Sequence, residues 1–558
     1  MNTVRKKSVL IRVIRVLFAV FLFSQGCYAQ EVASPLDIPL FLSGNFGELR
    51  SGHFHSGIDF KTQGVTGLPV KSVKEGYISR ISVSPYGYGR AVYIDHPDGT
   101  TSVYGHLDHF AAKVESAVRD SQYLKESFSV NLSFSPADFP LKKGELFAYS
   151  GNTGGSGGPH VHFEFRDTQS ERAVDPLPYF KNRIKDTRPP DIRGLMIFPQ
   201  PGKGIANGST ENQTINLLSN KAGKQTFAKP VTAWGNVGLG IKAYDKMNET
   251  SNIYGVNEVI LIVDKIEIFH SVMDGFSFND TRYINSFSES YYMKSFIEPG
   301  NKLDIYNDRF SGIIPVVEEK TYHCEYILKD VYGNTSTLEF DILGKEQAIP
   351  ELNTADLLFS YKKDNAYKAL GIDLNIPANN LYTNIYLRID TISNYTAFAP
   401  LYSIGEKIPL HGYCPLTLEI TNDSHPDKSK YGIVAVRGQR FSWIGGKYEN
   451  HKMNIRIREL GQFSITIDTV PPVIQPQNQA KWTATQTISF KISDNLSGVE
   501  SFKGSLNGQF VLFEYDAKTN SLFCKYDPKR MKKGNQTLHL VVTDSAGNQS
   551  KFKSDISF

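Results

Sequence analysis

Cysteine is almost missing from this chain, with four residues in 558, at positions 27, 324, 414 and 524. So sparse and scattered a set excludes a disulfide framework. Long apolar runs are missing too. The best candidate, Val16 to Phe23, falls well short of the roughly 20 residues that a membrane-spanning helix needs. Also lacking is a basic stripe interleaved with aromatics, so no nucleic-acid partner is expected. The formal charge of +4 is concentrated at the start, where Arg5, Lys6, Lys7, Arg12 and Arg15 are the only charged residues of the first 29; without them the balance is 56 − 57, or −1.

Those basic residues, the short apolar run and Cys27-Tyr28-Ala29 have the order of an export signal over residues 1–29, which makes Gln30 the expected start of the mature chain. The expected location is the periplasm or cell envelope, with no transmembrane span in the mature chain and lipidation of Cys27 as the lesser alternative.

The length exceeds what one core supports and suggests three or four modules. The 45 glycines and 27 prolines imply many turns and disfavour a helix-rich architecture. Alternating runs such as Val70-Lys71-Ser72-Val73 and Ala91-Val92-Tyr93-Ile94 read as strands. Pro97-Asp98-Gly99, between the second of these and Thr101-Ser102-Val103-Tyr104, reads as a hairpin turn. The expected fold class is mainly β. An antiparallel β-sheet domain occupies 30–185, with an insertion at about 110–140 where Lys113 to Leu124 carries helical spacing.

Beyond Phe180 a signature occurs twice. Asp186-Thr187-Arg188-Pro189-Pro190 returns as Asp468-Thr469-Val470-Pro471-Pro472; each copy later reaches a run ending in Asp245 or Asp494, then a turn, Asp330-Val331-Tyr332-Gly333-Asn334 or Asp544-Ser545-Ala546-Gly547-Asn548. This internal repeat predicts two related β-sandwich-like modules, at 186–347 and 468–558. Residues 348–467 alternate apolar and polar residues without the signature and read as a third β module. The repeated pattern resembles the bacterial immunoglobulin-like modules of surface and secreted proteins.

Two clusters in the first domain carry chemistry. In Gly52-His53-Phe54-His55-Ser56-Gly57-Ile58-Asp59, an extended chain lets His55 and Asp59 face one ion. In His160-Val161-His162-Phe163-Glu164-Phe165, a strand places His160, His162 and Glu164 on one face and the hydrophobic residues on the other. A catalytic zinc has three protein ligands and an open position. His55, Asp59 and one further histidine meet that count, with His160, His162 and His53 all still in contention. Gly154, Gly155, Gly157 and Gly158 are not followed by Lys-Ser/Thr, so a phosphate cradle is not indicated.

His55-x-x-x-Asp59, Tyr104-Gly105-His106-Leu107 and Gly158-Pro159-His160-Val161-His162-Phe163-Glu164, in that order with Lys142-Lys143-Gly144-Glu145 and Gly151-Asn152-Thr153-Gly154 between them, resemble the motifs of the LytM/lysostaphin-type peptidoglycan endopeptidases. The resemblance covers about residues 40 to 180. It implies one Zn2+ per chain held by His55, Asp59 and His162, with His106 and His160 as catalytic residues beside the open coordination position. On that pattern His160 takes a proton and His106 stabilises the oxyanion, or the reverse. The implied function is hydrolysis of peptide bonds in peptidoglycan. The alternative is a non-catalytic cell-wall regulator or scaffold. The C-terminal β modules would space the domain from the envelope or bind an envelope protein. His53, His96 and His109 fall outside the motifs and read as groove or turn residues.

Overall fold

A computed structural model of the chain describes residues 32–219, 225–227, 230–307, 309–352 and 356–558. The expected export signal and Cys27 lie outside the described residues. The chain is mainly β, and among the described residues no helix is long and apolar enough to cross a membrane.

The first sheet runs in the order 42–44, 58–61, 160–167, 100–105, 90–95, 76–83 and 130–133, every neighbouring pair antiparallel. Its centre follows from the alternation in the His160–Asp167 strand. Val161, Phe163 and Phe165 are fully buried on one face, where Phe163 packs against Phe60, Tyr104 and Phe180 at ring-centroid distances of 5.2–5.8 Å. Burying each such side chain stabilises the sheet by roughly 1.5–3 kcal/mol. The opposite face is left to His160, His162, Glu164 and Arg166. The Arg90–Asp95 and Thr100–Gly105 strands pair across the Pro97-Asp98-Gly99 turn, with Gly99 at φ +80°. The segment read as helical is the helix Ala112–Leu124, which buries Val114, Val118 and Gln122.

The repeat copies differ in construction. In the last, two four-stranded sheets (473–476, 487–493, 521–525, 514–516; and 509–511, 499–506, 535–544, 549–557) share one core. In the first, ten of the strands between 191 and 344 form one hydrogen-bonded network, departing from two separate layers. The physical reason lies in the long strand Val231–Tyr244. Its beginning pairs in parallel with 342–344, while later parts pair with 292–294 and 314–316, so one strand serves both layers. Between the copies, an eight-stranded sheet is built on the strands Leu401–Glu419 and Lys452–Ile467.

The modules touch. Met247 and Tyr254 of the second region join the core of the first, and Ala173–Val174 pairs with Gly275–Phe276. The C-terminal module returns to the first domain. Glu514 accepts from Arg90 at 2.9 Å and Arg119 at 2.6 Å, Tyr123 meets the edge of Phe510, Arg530 pairs with Asp120, and Lys518 donates to the Asn152 carbonyl.

Candidate metal centre

The register of the central strands brings distant residues together. Asp59 lies directly opposite His162 on the neighbouring strand, and His162 lies opposite Gly105 on the other side. His55 enters from the loop ahead of Asp59. That loop runs so close to the strand that a Cβ on Gly57 would sit 2.1 Å from the Phe163 carbonyl oxygen, which is why glycine occupies the position. His106 directly follows the Thr100–Gly105 strand at φ +60°, a left-handed conformation that histidine tolerates better than most residues.

His55 Nε2 lies 3.1 Å from His162 Nδ1 and 3.2 Å from Asp59 Oδ1, and His162 Nδ1 lies 2.9 Å from Asp59 Oδ1. The outer nitrogens fix what these atoms offer. His55 Nδ1 lies 2.6 Å from the Asn45 carbonyl, so it carries the proton and Nε2 a lone pair. His162 Nε2 lies 2.8 Å from Glu164 Oε1, which turns Nδ1 inward in the same way. Two lone pairs and a carboxylate converging within a buried volume demand positive charge, and a set of two imidazoles and one carboxylate suits a divalent transition ion. These three residues form a group able to hold a metal ion.

The electrostatics agree. With protons on the inward nitrogens in place of a metal ion, burial would raise the Asp59 carboxyl, but positive charge at His55 and hydrogen bonds from His160, His162 and His55 hold it well below the usual carboxylate range. Burial would lower His162, yet its bonds to Asp59 and Glu164 push it up to about 9. A proton or a metal ion satisfies the same Nδ1.

Around this core, His160 gives Nδ1–H to the Gly158 carbonyl at 2.8 Å, and its Nε2 lies 3.4 Å from Asp59 Oδ1. His106 gives Nδ1–H to the Thr153 carbonyl at 2.8 Å, and its ring centroid lies 4.7 Å from that of His160. Burial, reinforced by His162 and His160, pushes His106 down to about 3, so it is neutral. His53 is exposed and bonds to Ser51. His96 is buried between the Glu75 carbonyl and Ser102, and His109 stacks on Tyr149. These three stand apart from the cluster.

The structure adds a role that the motifs left unassigned. Glu164, with no exposed surface, accepts from Ser56, Tyr88, His162 and Arg166 at 2.5–2.8 Å. It thereby fixes the orientation of His162, an outer-sphere role usual for carboxylates behind metal-binding histidines. Burial would raise its own carboxyl, but Arg166 and His162 hold it well below the ordinary range. The signal was the alternation itself, which puts His160, His162, Glu164 and Arg166 on one face.

Residues 53–137 match the family model of peptidase family M23. The chain carries an M23 peptidase domain. Over 123 residues it is 33% identical to an uncharacterized metalloprotease of Haemophilus influenzae, covering 22% of this chain and 20% of that protein. Over 118 residues it is 30% identical to the DD-carboxypeptidase/endopeptidase Mpg of Neisseria meningitidis, covering 21% of each. The chain thus spans about a fifth of the length of these curated relatives. The solved catalytic domain of lysostaphin from Staphylococcus simulans aligns with 27% identity over 25% of this chain and 90% of that domain, at a TM-score of 0.19. Outside the M23 domain, residues 356–468 match a Zu5-like domain, the region built on the Leu401–Glu419 strand.

Proposed function

We propose that this chain is an exported zinc metalloendopeptidase that hydrolyses peptide bonds of peptidoglycan, in the stem peptide or the cross-bridge. The observation that carries the reading is the convergence of His55 Nε2, Asp59 Oδ1 and His162 Nδ1 inside an M23 domain, with two further histidines alongside. Those three residues would hold one zinc ion, which supplies Lewis acidity to the scissile carbonyl and to the attacking water.

The remaining steps belong to side chains. With its Nδ1–H committed to Gly158, His160 presents Nε2 as a proton acceptor, and Asp59 nearby stabilises the imidazolium that results. His160 takes the proton of the attacking water and returns it to the leaving amine. His106, neutral and with Nδ1–H committed to Thr153, also presents an acceptor. It can accept a hydrogen bond from the attacking water, or, if it takes that water's proton in place of His160, donate that proton's hydrogen bond to the developing oxyanion. Export is supported by the basic, apolar and small-residue order of residues 1–29.

The test is incubation of the purified chain with peptidoglycan, with and without a zinc chelator, beside His55→Ala, followed by mass spectrometry of the fragments. New peptide ends that vanish with the chelator and in His55→Ala are expected. Unchanged fragments across several wall chemistries, with zinc bound, would refute the peptidase reading and favour a non-catalytic regulator.

A further inference from the structure

The repeated signature brings three aspartates together in each copy. Asp186, Asp245 and Asp330 each offer a carboxylate oxygen to one point, all within 4.8 Å of one another, and so do Asp468, Asp494 and Asp544. The two trios share much of their construction, although in the second Asp468 Oδ2 also accepts from Ser497 N–H and Asp494 Oδ2 from the Leu496 and Gly498 N–H groups. The aspartate of the Asp-Thr-x-Pro-Pro segment accepts from the backbone N–H two residues on, at 3.0 Å for Asp186 and 3.1 Å for Asp468. The aspartate of the closing turn is held by the asparagine four residues on, through both its backbone and its amide nitrogen: Asn334 on Asp330 at 2.8 and 2.7 Å, Asn548 on Asp544 at 2.7 and 2.8 Å. The strand-end aspartate leaves the same atom unused, since Asp245 Oδ1 and Asp494 Oδ1 are both buried without a hydrogen-bond partner.

In the first copy the unused atoms are deep. Asp245 is 2% exposed and Asp186 7% exposed, and Asp186 Oδ2 is unpartnered as well. A buried carboxylate oxygen without a donor is costly, and three carboxylates facing one another compound the cost. A cation removes both penalties together. Carboxylate oxygens alone, with no nitrogen or sulfur in either trio, select a hard ion. Calcium, which accepts six to eight oxygens in adaptable geometry, fits a buried carboxylate set better than magnesium, which keeps its water.

We propose that Asp186, Asp245 and Asp330 bind one calcium ion, and that Asp468, Asp494 and Asp544 bind a second in the repeated module. Each ion pins the segment entering a module to a strand end and a hairpin turn of that module, fixing the junction behind it. The first junction leads to the M23 metal centre. The backbone of Asp245 pairs with Tyr254, whose hydroxyl bonds to the Leu42 carbonyl. Gly255 exchanges two hydrogen bonds with the Asn45 side chain at 2.8 and 2.9 Å, and the Asn45 carbonyl holds His55.

The experiment is isothermal titration of calcium chloride into the full chain after treatment with a calcium-selective chelator, beside Asp245→Asn and Asp494→Asn. A stoichiometry of two is expected in the parent and one in each variant. Both substitutions remove a repelling charge, so the variants fold without calcium; thermal melts confirm this and are expected to show a smaller calcium-dependent rise than in the parent. Absence of binding by the parent at millimolar calcium, or parental stoichiometry in both variants, would overturn the proposal. Tighter binding of magnesium than of calcium would overturn the choice of ion. Hydrolysis of peptidoglycan plays no part in the readout, so the outcome is independent of the catalytic reading.

Discussion

Replacing Glu164 by glutamine keeps the volume of the side chain and removes one charge from a site with no solvent. In the parent, Oε1 accepts from Ser56, Tyr88 and His162, while Oε2 accepts from Arg166. A glutamine whose oxygen serves the first three turns its amide N–H groups toward the Arg166 guanidinium, donor against donor. Reversing the amide satisfies Arg166 and leaves His162 Nε2 facing a donor, so its inward lone pair is no longer enforced. Breaking a buried ion pair by removing one partner costs about 3–5 kcal/mol, and losing the partner of a metal-binding histidine weakens metal affinity about 10–100-fold, or about 1.4–2.7 kcal/mol. Both are measurable on one preparation, by circular-dichroism melts and by zinc competition against a chromophoric chelator. Glu171→Gln is the control, because Glu171 reaches the same Arg166 only at 3.4 Å from an exposed position; it should leave both quantities unchanged. If Glu164→Gln bound zinc within twofold of the parent, the assignment of Glu164 as the residue orienting His162 would be refuted.

Other consequences follow from the same geometry. His55→Ala should abolish stoichiometric zinc in elemental analysis, whereas His160→Ala and His106→Asn should keep zinc and lose about 10²–10⁴-fold in turnover; asparagine is chosen at 106 because it tolerates the φ of +60° found there. Gly57→Ala drives a methyl group against the Phe163 carbonyl and should destabilise the M23 domain by about 1–3 kcal/mol in denaturant titrations, with loss of zinc. Burial pushes the Asp175 carboxyl up to about 7, so the folded state binds its proton more tightly than the unfolded chain does, and the group opposes folding increasingly as pH rises from about 4 to 7. Asp175→Asn, whose oxygen can still accept from Leu177, should therefore raise the melting temperature at pH 8, by at most about 4 kcal/mol in stability, and leave it unchanged at pH 4. A gain of equal size at both pH values would refute that cause.

The central strand was legible because its alternation records the two environments it separates, with Val161, Phe163 and Phe165 facing the core and His160, His162, Glu164 and Arg166 facing the site. The Pro97-Asp98-Gly99 turn and the helix Ala112–Leu124 were legible from local chemistry for similar reasons. What alternation leaves open is register. His160 and His162 share a face, and only the pairing of the strand puts His162 opposite Asp59 and His160 opposite Lys61. The partners of Glu164 were hidden for another reason: Ser56 and Tyr88 lie 108 and 76 residues away, and nothing local to Glu164 names them. The repeat could be found from spacing, but its aspartates acquire meaning only once three chain segments fold to one point. The single network of the first copy depends on where one 14-residue strand changes partners, a tertiary choice.

The bond between Arg90 and Glu514 joins residues 424 positions apart. Closing a loop of that size in a disordered chain is entropically unfavourable, so the contact forms late, once the intervening modules are rigid enough to carry Glu514 back to the first domain. The M23 domain leads the chain and can fold before the last module is in place, while the face of its Ala112–Leu124 helix that will receive that module is still bare. An interaction made this late is absent from the barrier that each module crosses while folding. It therefore acts on lifetime, slowing the opening of the finished molecule without hastening its assembly.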